Sequence, residues 1–298
     1  MTIMYGYGNA RIAALRSRLL DAAAFRYLSE SDSPSAYLAF LERSEDWRPI
    51  LLGTASLLSD PQAAIEATIE RFRSVRLGAL PHWYEPPVRH LVEALVMPLD
   101  LERVVAVIRR RDAGAAGEST GSPVAGGALL DVAALGALGR APDSTAFFVA
   151  LGRMDLVPTL TARDVAAAIE RDPSRRGVEE YVLALFERGR TARVSGRGVD
   201  ARTVRAILSE ESEEREMIAA EVRDGGSDAA WLLERPTHLA RLDRLVRRGR
   251  RDPLGIGAVA GYVAAVEAQA IRMRACLARV AAGWSAEAVG PFLAGAEG

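Results

Sequence analysis

Apolar residues recur at every third or fourth position along most of the chain, which is the spacing that places them on one face of an α-helix. After Asn9, for example, Ile12, Leu15 and Leu19 follow this spacing. Alternating stretches rich in β-branched residues, which would predict strands, are scarce. The pattern therefore predicts an all-α fold. We expect helices over residues 9–30, 34–44, 61–76, 86–96, 100–111, 128–138, 143–151, 162–171, 178–188, 200–222, 237–249 and 255–281.

Breaker residues divide this helical pattern. Asn9 is of the N-cap type, so the first helix is expected to begin there. Prolines stand near five predicted helix starts, where a proline is tolerated; these are Pro34, Pro61, Pro86, Pro142 and Pro236. Residues 112–127 contain five glycines and no apolar periodicity, which indicates a flexible linker or an exposed loop. These divisions predict sub-bundles over residues 1–112, 124–198 and 199–298, with a linker at 113–123.

A weak internal repeat joins two of these parts. The segment 100–109 resembles the segment 200–209, because each begins with Asp and continues with the same apolar spacing. Residues 238–247 form a fainter third copy. An Asp at a helix start suits the positive end of the helix dipole, so we expect Asp100 and Asp200 to begin helices. Either a duplication within the chain or a chance match between ordinary amphipathic helices would explain the pattern.

All 38 basic residues of the 298-residue chain are arginines. A Walker A loop, a protein kinase and Schiff-base chemistry each need a lysine, so these functions are excluded. The net charge of −1 gives no overall attraction to nucleic acid or to an anionic membrane surface. Cys276 is the single cysteine, which excludes an internal disulfide and fits a reducing compartment. The longest apolar run, residues 254–266, is too short for a membrane span.

Motifs for catalysis or ligand binding are missing from the sequence. The start Gly6–Arg11 has G-x-G without the third glycine or a preceding strand, so we do not expect it to bind a dinucleotide. The histidines lack the spacing of a helical zinc site, no G-x-S-x-G motif is present, and the pattern around Cys276 favours a packed thiol. We therefore expect no catalytic residue, no cofactor and no metal. Arg11, Arg16 and Arg18 interrupt the apolar core that a secretory signal needs. The stretch partly fits an arginine-rich mitochondrial presequence, but its aromatic pair and amphipathic pattern favour mature protein.

Two arginine clusters have the charge to contact an acidic partner. Residues 241–251 hold six arginines against one acid, Asp243, and Arg109 begins a run of three. Aromatic residues that would stack on bases are missing near both clusters, which argues against nucleic-acid binding. A basic face for an acidic protein and salt bridges within the chain both explain the clusters.

Residues 252–262 combine a helix breaker with closely spaced glycines. Glycine within a helix costs about 1 kcal/mol relative to alanine. Gly255, Gly257 and Gly261 therefore indicate that another backbone lies close to this helix.

Glu267 falls on the apolar face of the same predicted helix, where a carboxylate needs a partner. Arg274 is two turns away and is less suited to this role. We expect an arginine from another helix, with Arg11 or Arg18 as the supplier, so that the two chain ends are tied together.

Both ends of the chain resemble one protein family, the C/d family of central-stalk proteins of V/A-type (vacuolar/archaeal-type) ATPases. Residues 5–20, YGYGNARIAALRSRLL, are similar to the opening of its bacterial and archaeal C-type members, which are related to the d-type member of the eukaryotic vacuolar enzyme. Residues 252–257, DPLGIG, are similar to the closing signature of that family. Further residues that fit this signature are Tyr262, Glu267, Arg272 and Arg274.

The repeated segments also fall where that family has D-x-x-N-L helices. Asp100 and Asp200 stand at the family's Asp, whereas Arg103 and Thr203 replace its asparagine.

The resemblance implies a single domain over residues 1–298, folded as three similar helical bundles in a pseudo-threefold funnel. It implies a non-catalytic rotor subunit of the central stalk, a socket that couples the rotating shaft to the membrane proteolipid ring for ATP-driven ion transport or ATP synthesis. The partners are then the central-shaft subunits and the proteolipid ring, without nucleic acid, and the location is peripheral on the cytoplasmic side of the membrane. Candidate partner-binding or structural residues are Tyr5, Tyr7, Asn9, Arg11, Arg16, Arg18, Asp252, Pro253, Gly255, Gly257, Tyr262, Glu267 and Arg274.

Two other functions stay open at the level of the sequence. One is a free-standing all-helical scaffold that binds proteins and shares the fold without belonging to an ATPase. The other is an arginine-rich RNA-binding protein, whose affinity for generic RNA would fall steeply with salt.

Overall fold

The computed structural model describes residues 5–55, 58–112, 125–158, 160–172, 174–194, 198–225 and 227–294. Every regular element in these residues is a helix, which confirms the predicted all-α class. The α-helices are α1 (Gly6–Arg16), α2 (Ala22–Ser29), α3 (Pro34–Arg43), α4 (Arg48–Ala55), α5 (Pro61–Gly78), α6 (Val88–Asp112), α7 (Val132–Gly139), α8 (Ser144–Gly152), α9 (Ala162–Arg171), α10 (Arg175–Arg193), α11 (Val199–Gly225), α12 (Ser227–Arg251), α13 (Ile256–Ala282) and α14 (Ala286–Leu293). A short 3-10 helix covers Leu80–Trp83. The predicted linker at 113–123 lies outside the described residues.

The first predicted helix, 9–30, is instead two helices. α1 ends at Arg16, and Asp21 then caps α2 by accepting a hydrogen bond from the backbone N–H of Ala24 at 2.8 Å. Asn9 lies within α1, so its predicted role as an N-cap is wrong. The apolar spacing continues through the break, which is why periodicity alone does not reveal it.

Prolines and short helices account for the other differences. The predicted helices 86–96 and 100–111 form the single helix α6, with Pro98 inside it. Apolar residues on both sides of this proline are buried, and their burial outweighs the hydrogen bond that the proline removes. Pro236 likewise lies inside α12 rather than near its start. The sequence pattern does not predict the eight-residue helices α4 and α14.

The described residues form two compact units, one made of residues 5–73 and 198–294 and the other of residues 74–194. Each unit has a buried core of its own. The three sub-bundles expected from the sequence, and their pseudo-threefold arrangement as a funnel, stay predictions.

The core of the first unit is built around α13. Of its 27 residues, 17 are buried, so other helices surround it on several sides. Helices α1, α2, α3, α12 and α14 all pack against it. The hydroxyl of Tyr37 in α3 donates a hydrogen bond to the carbonyl of Met273 at 3.1 Å. The Cys276 thiol is fully buried, and burial raises its pKa to about 12, in agreement with the packed thiol that the sequence favours.

Helices α6 and α10 form the centre of the second unit, and α7, α8 and α9 pack around them. Phe147 and Phe148 of α8 meet edge to face, with ring centroids 5.5 Å apart, in a cluster that draws buried side chains from all five helices. Asp131, Asp143 and Thr161 cap α7, α8 and α9 by accepting backbone N–H groups. Each cap satisfies a donor that a helix start leaves unpaired.

Asp100 is a fully buried carboxylate in the middle of α6, so its predicted place at a helix start is wrong. Its Oδ1 accepts hydrogen bonds from the backbone N–H groups of Leu129 at 3.0 Å and Leu130 at 2.8 Å. Burial raises the pKa of Asp100 to about 6, although these hydrogen bonds favour the charged form. A Cβ at Gly127 would lie only 2.0 Å from the same oxygen. Asp100 therefore holds the chain before α7 against α6.

Replacing Asp100 with Asn should make folding less sensitive to pH. The pKa rises from its ordinary value of 3.8 to about 6 in the fold, so ionisation of this group above pH 6 weakens the fold by about 3 kcal/mol relative to the protonated acid. Wild type loses this stability as the pH rises from 3.8 to about 6, whereas Asn does not titrate. The unfolding free energy of D100N minus that of wild type should therefore increase from about pH 4 to about pH 7.5 by up to that amount. Urea unfolding followed by circular dichroism measures it, and a difference that stays constant over this range contradicts the raised pKa.

Candidate partner-binding site

Helix α1, near the start of the chain, contacts the turn before α13. The side-chain nitrogen Nδ2 of Asn9 donates hydrogen bonds to the backbone carbonyls of Pro253 and Gly255, each at 3.1 Å. Asn9 is only 7% exposed, so these bonds are largely shielded from water. We name this contact, formed by Asn9 with residues 252–257, the terminal junction.

The side chain of Asp252 forms a hydrogen bond across the turn of the terminal junction. Its Oδ2 accepts a hydrogen bond from the backbone N–H of Gly257 at 3.0 Å, which satisfies a donor at the start of α13. A Cβ at Gly255 would lie 2.5 Å from this oxygen, and a Cβ at Gly257 would lie 2.6 Å from it. The two glycines are therefore what allows the carboxylate to reach the helix start.

Gly261 marks the close approach of another backbone, as its position in the sequence indicates. That backbone belongs to α12, because a Cβ built on Gly261 would lie 2.9 Å from the Cα of Gly249. A Cβ on Gly249 would in turn lie 2.6 Å from the carbonyl oxygen of Gly257. Real Cβ atoms essentially never approach other atoms within 3.0 Å. Helices α12 and α13 can therefore pack this closely only with glycine at both contact positions.

Arg16 and Tyr5 bind α1 to the same unit at two more points. The guanidinium of Arg16 donates a hydrogen bond to the carbonyl of Ala258, in the first turn of α13, at 2.9 Å. Partial burial and the positive charge of Arg250 lower the pKa of Arg16. The hydroxyl of Tyr5 donates a hydrogen bond to Asp200 at 2.8 Å. Asp200 lies in the first turn of α11, so its predicted place at a helix start is correct.

Glu267 pairs with an arginine from another helix, as expected, but that arginine is Arg73 of α5. The two side chains are 2.7 Å apart. The prediction that Arg11 or Arg18 supplies the partner is wrong, because α1 reaches α13 through Asn9 and Arg16 instead.

Arg18 and Arg274 bind other acids of the same unit. Arg18 lies 3.3 Å from Asp46, and Arg274 lies 3.0 Å from Glu66 and also contacts Glu70. Both arginines are therefore paired within the unit.

The surface beside the terminal junction exposes apolar side chains. Tyr7 of α1 is 66% exposed, and its hydroxyl accepts a hydrogen bond from Arg11 at 2.7 Å. Leu254, which follows the Asn9-bound Pro253, is 65% exposed. Tyr262, by contrast, is fully buried within α13, so its contribution is to packing.

A row of exposed arginines runs along α12. Arg244, Arg247 and Arg251 are spaced three and four residues apart, so they share one face of the helix, and all three are exposed. Within the described residues, none of the three has a hydrogen-bond or ion-pair partner. We name these three residues the arginine stripe.

Other arginines of the two predicted clusters are paired within the chain. These ion pairs are Arg241 with Glu214 and Arg248 with Glu210, each at 2.7 Å, and Arg109 with Glu179 at 3.0 Å. In the cluster at 241–251, Arg241 and Arg248 therefore join α12 to α11, whereas the arginine stripe faces outward.

No protein-family model matches the chain, and no curated protein does. In the ranges that the structure describes, His, Cys, Asp and Glu side chains do not gather in groups of three or more that could hold a metal ion. None of the helices in those ranges combines the length and the hydropathy that crossing a membrane requires.

Replacing Gly261 with Ala should destabilise the first unit, because the new Cβ collides with the backbone of α12. Overpacking of this kind costs about 1–3 kcal/mol of unfolding free energy. Urea unfolding at neutral pH measures the change.

Gly6 at the start of α1 provides the control, because a Cβ there meets nothing within 4 Å. Replacing Gly6 with Ala should leave the unfolding free energy unchanged or raise it by up to about 1 kcal/mol, because alanine is the better helix former. If G261A is as stable as G6A, the contact between α12 and α13 is looser than these distances indicate.

Proposed function

We propose that this protein is a non-catalytic central-stalk component of a V/A-type rotary ATPase, a socket that couples the rotating shaft to the membrane proteolipid ring. The observation that supports it most is the terminal junction. Residues 5–20 and 252–257, which carry the resemblance to the C/d family, lie far apart in sequence and contact each other through Asn9. If both segments serve to hold this contact, a protein that keeps the contact would keep both segments similar to the C/d family.

The proposed mechanism is mechanical. A protein that transmits torque has to deform little under load, and densely packed helices have low compressibility. The glycine contact between Gly249 and Gly261 leaves no gap between α12 and α13. Torque applied to α12 is therefore carried directly to the buried helix at the centre of the first unit.

The arginine stripe is the proposed contact for an acidic surface of the shaft. Its guanidinium groups are exposed and form no ion pair within the described residues, so binding does not have to break an existing bond. Complementary charges of this kind speed association and fix the register of the complex. The exposed side chains of Tyr7 and Leu254 add apolar area in the same unit. The proposed location is peripheral, on the cytoplasmic side of the membrane, with the ring loops as the second partner.

Co-expression with the shaft subunits and the proteolipid ring of the same organism tests this function. The tagged chain, purified in detergent, should recover both partners, and deletion of the chain should separate the ring from the shaft. A folded, monomeric chain that captures neither partner contradicts the proposal and favours a free-standing helical scaffold.

Reversing the arginine stripe should weaken binding to the shaft subunits. The variant R244E/R247E/R251E replaces three attractive charges with three repulsive ones, so we expect Kd to rise by roughly tenfold or more, with a smaller salt dependence than wild type. Biolayer interferometry with the purified shaft subunits measures Kd across a salt series.

The variant R163E/R171E/R188E carries the same change of charge on exposed arginines of the second unit. It should bind the shaft as wild type does, because the stripe is intact. An equal loss of affinity in both variants would show that net charge alone, rather than the stripe, controls binding.

A further inference from the structure

A cleft of about 510 Å³ lies beside the connection between α1 and α2 in the first unit. Its walls come from this connection, from α12 and from α13. The backbone N–H of Leu20 donates a hydrogen bond to Oε1 of Gln269 at 2.7 Å, and Gln269 is only 2% exposed. Asp21, the next residue, caps α2. The connection is thus held to α13 and to α2 by hydrogen bonds, so the cleft is preformed in the chain alone.

The walls of this cleft combine a neutralised ion pair with apolar surface. Arg272 donates hydrogen bonds to both carboxylate oxygens of Asp243, at 2.9 and 2.8 Å, so their opposite charges offset each other. Leu19, Leu20 and Val246 also line the cleft and are only half-buried, so part of their apolar surface meets water. Covering such surface is favourable. The cleft therefore suits an apolar side chain better than a charged one.

The other charged groups around the cleft do not select an ion of either sign. Asp21 and Arg250 are both exposed and carry opposite charges, which water and salt screen. Arg16 uses its guanidinium to donate a hydrogen bond to the carbonyl of Ala258. These groups resemble the polar rim that surrounds an apolar contact in a protein–protein interface.

The cleft borders the arginine stripe on the surface of α12. Asp243 and Arg250 line the cleft, and Arg247 of the stripe is four residues from the first and three residues from the second. Side chains at these spacings are neighbours on a helix surface. A partner that lies along the stripe therefore comes within reach of the cleft.

We propose that the acidic partner that binds the arginine stripe inserts an aromatic or large aliphatic side chain into this cleft. The inference rests on the proposed function, in which this partner is the shaft. Carboxylates of the partner would pair with the stripe and orient the complex, whereas the inserted side chain anchors it. Anchors seated in pockets commonly carry most of the binding energy of an interface. The volume of the cleft is within the range of sites that enclose organic molecules, so it has room for such a side chain.

A bulky residue placed at the cleft tests the inference. Ala23 is exposed and lines the cleft, so A23W obstructs the cleft and leaves the stripe unchanged. A133W is the matched control, because Ala133 is exposed and is the second residue of α7, as Ala23 is of α2, and both helices are capped by an Asp. Biolayer interferometry measures Kd of the full chain and both variants for the purified shaft subunits across a salt series. Circular dichroism confirms that the variants are folded.

We expect A23W to raise Kd by at least roughly tenfold at every salt concentration, because salt does not screen an apolar contact. Its salt dependence should equal that of wild type, because the stripe is intact, and A133W should bind as wild type does. Wild-type affinity in A23W, or equal weakening by A23W and A133W, overturns the inference and leaves the shaft as the partner. If the wild-type chain does not bind the shaft, the proposed function fails and this inference fails with it.

Discussion

The contact between α12 and α13 is the constraint on which the first unit depends. Gly249 and Gly261 let two helix backbones approach to a separation that any Cβ forbids. Because 17 of the 27 residues of α13 are buried, the helices around it are positioned by their contacts with it. Asn9 and Arg16 then fix α1 to the first turns of this helix and to the turn before it. A central buried helix, one close neighbour and a bound terminal helix thus form a single mechanical unit.

This arrangement relates the interior of the unit to its proposed binding surface. On α12, Gly249 faces α13, whereas Arg244, Arg247 and Arg251 lie on the opposite side of the same helix. A partner that binds the arginine stripe therefore acts on a helix whose other face is locked to the core. Close packing resists compression, so displacement at the stripe is passed on rather than absorbed. That property suits a coupling protein, which carries force without chemistry of its own.

Periodicity predicted the fold class and most helices, because apolar spacing reports which faces are buried. It missed the break after Arg16, where the apolar spacing runs on, and the continuous helix through Pro98, where burial outweighs the missing hydrogen bond. The glycine spacing predicted a close backbone, but Gly249 stands in a run of arginines with no apolar signal. Glu267 required an arginine from another helix, yet only tertiary packing decides that Arg73 is the one that faces it. The division of the 241–251 arginines into paired and outward-facing side chains depends on packing in the same way.

Electron cryomicroscopy of the intact rotary ATPase, purified through an affinity tag on a shaft subunit from cells that express this chain, tests the central claim most directly. The proposal predicts density for this all-helical chain between the shaft and the proteolipid ring, with Arg244, Arg247 and Arg251 within hydrogen-bond distance of shaft carboxylates. A complete complex in which another chain occupies that position, while this chain is absent, would contradict it.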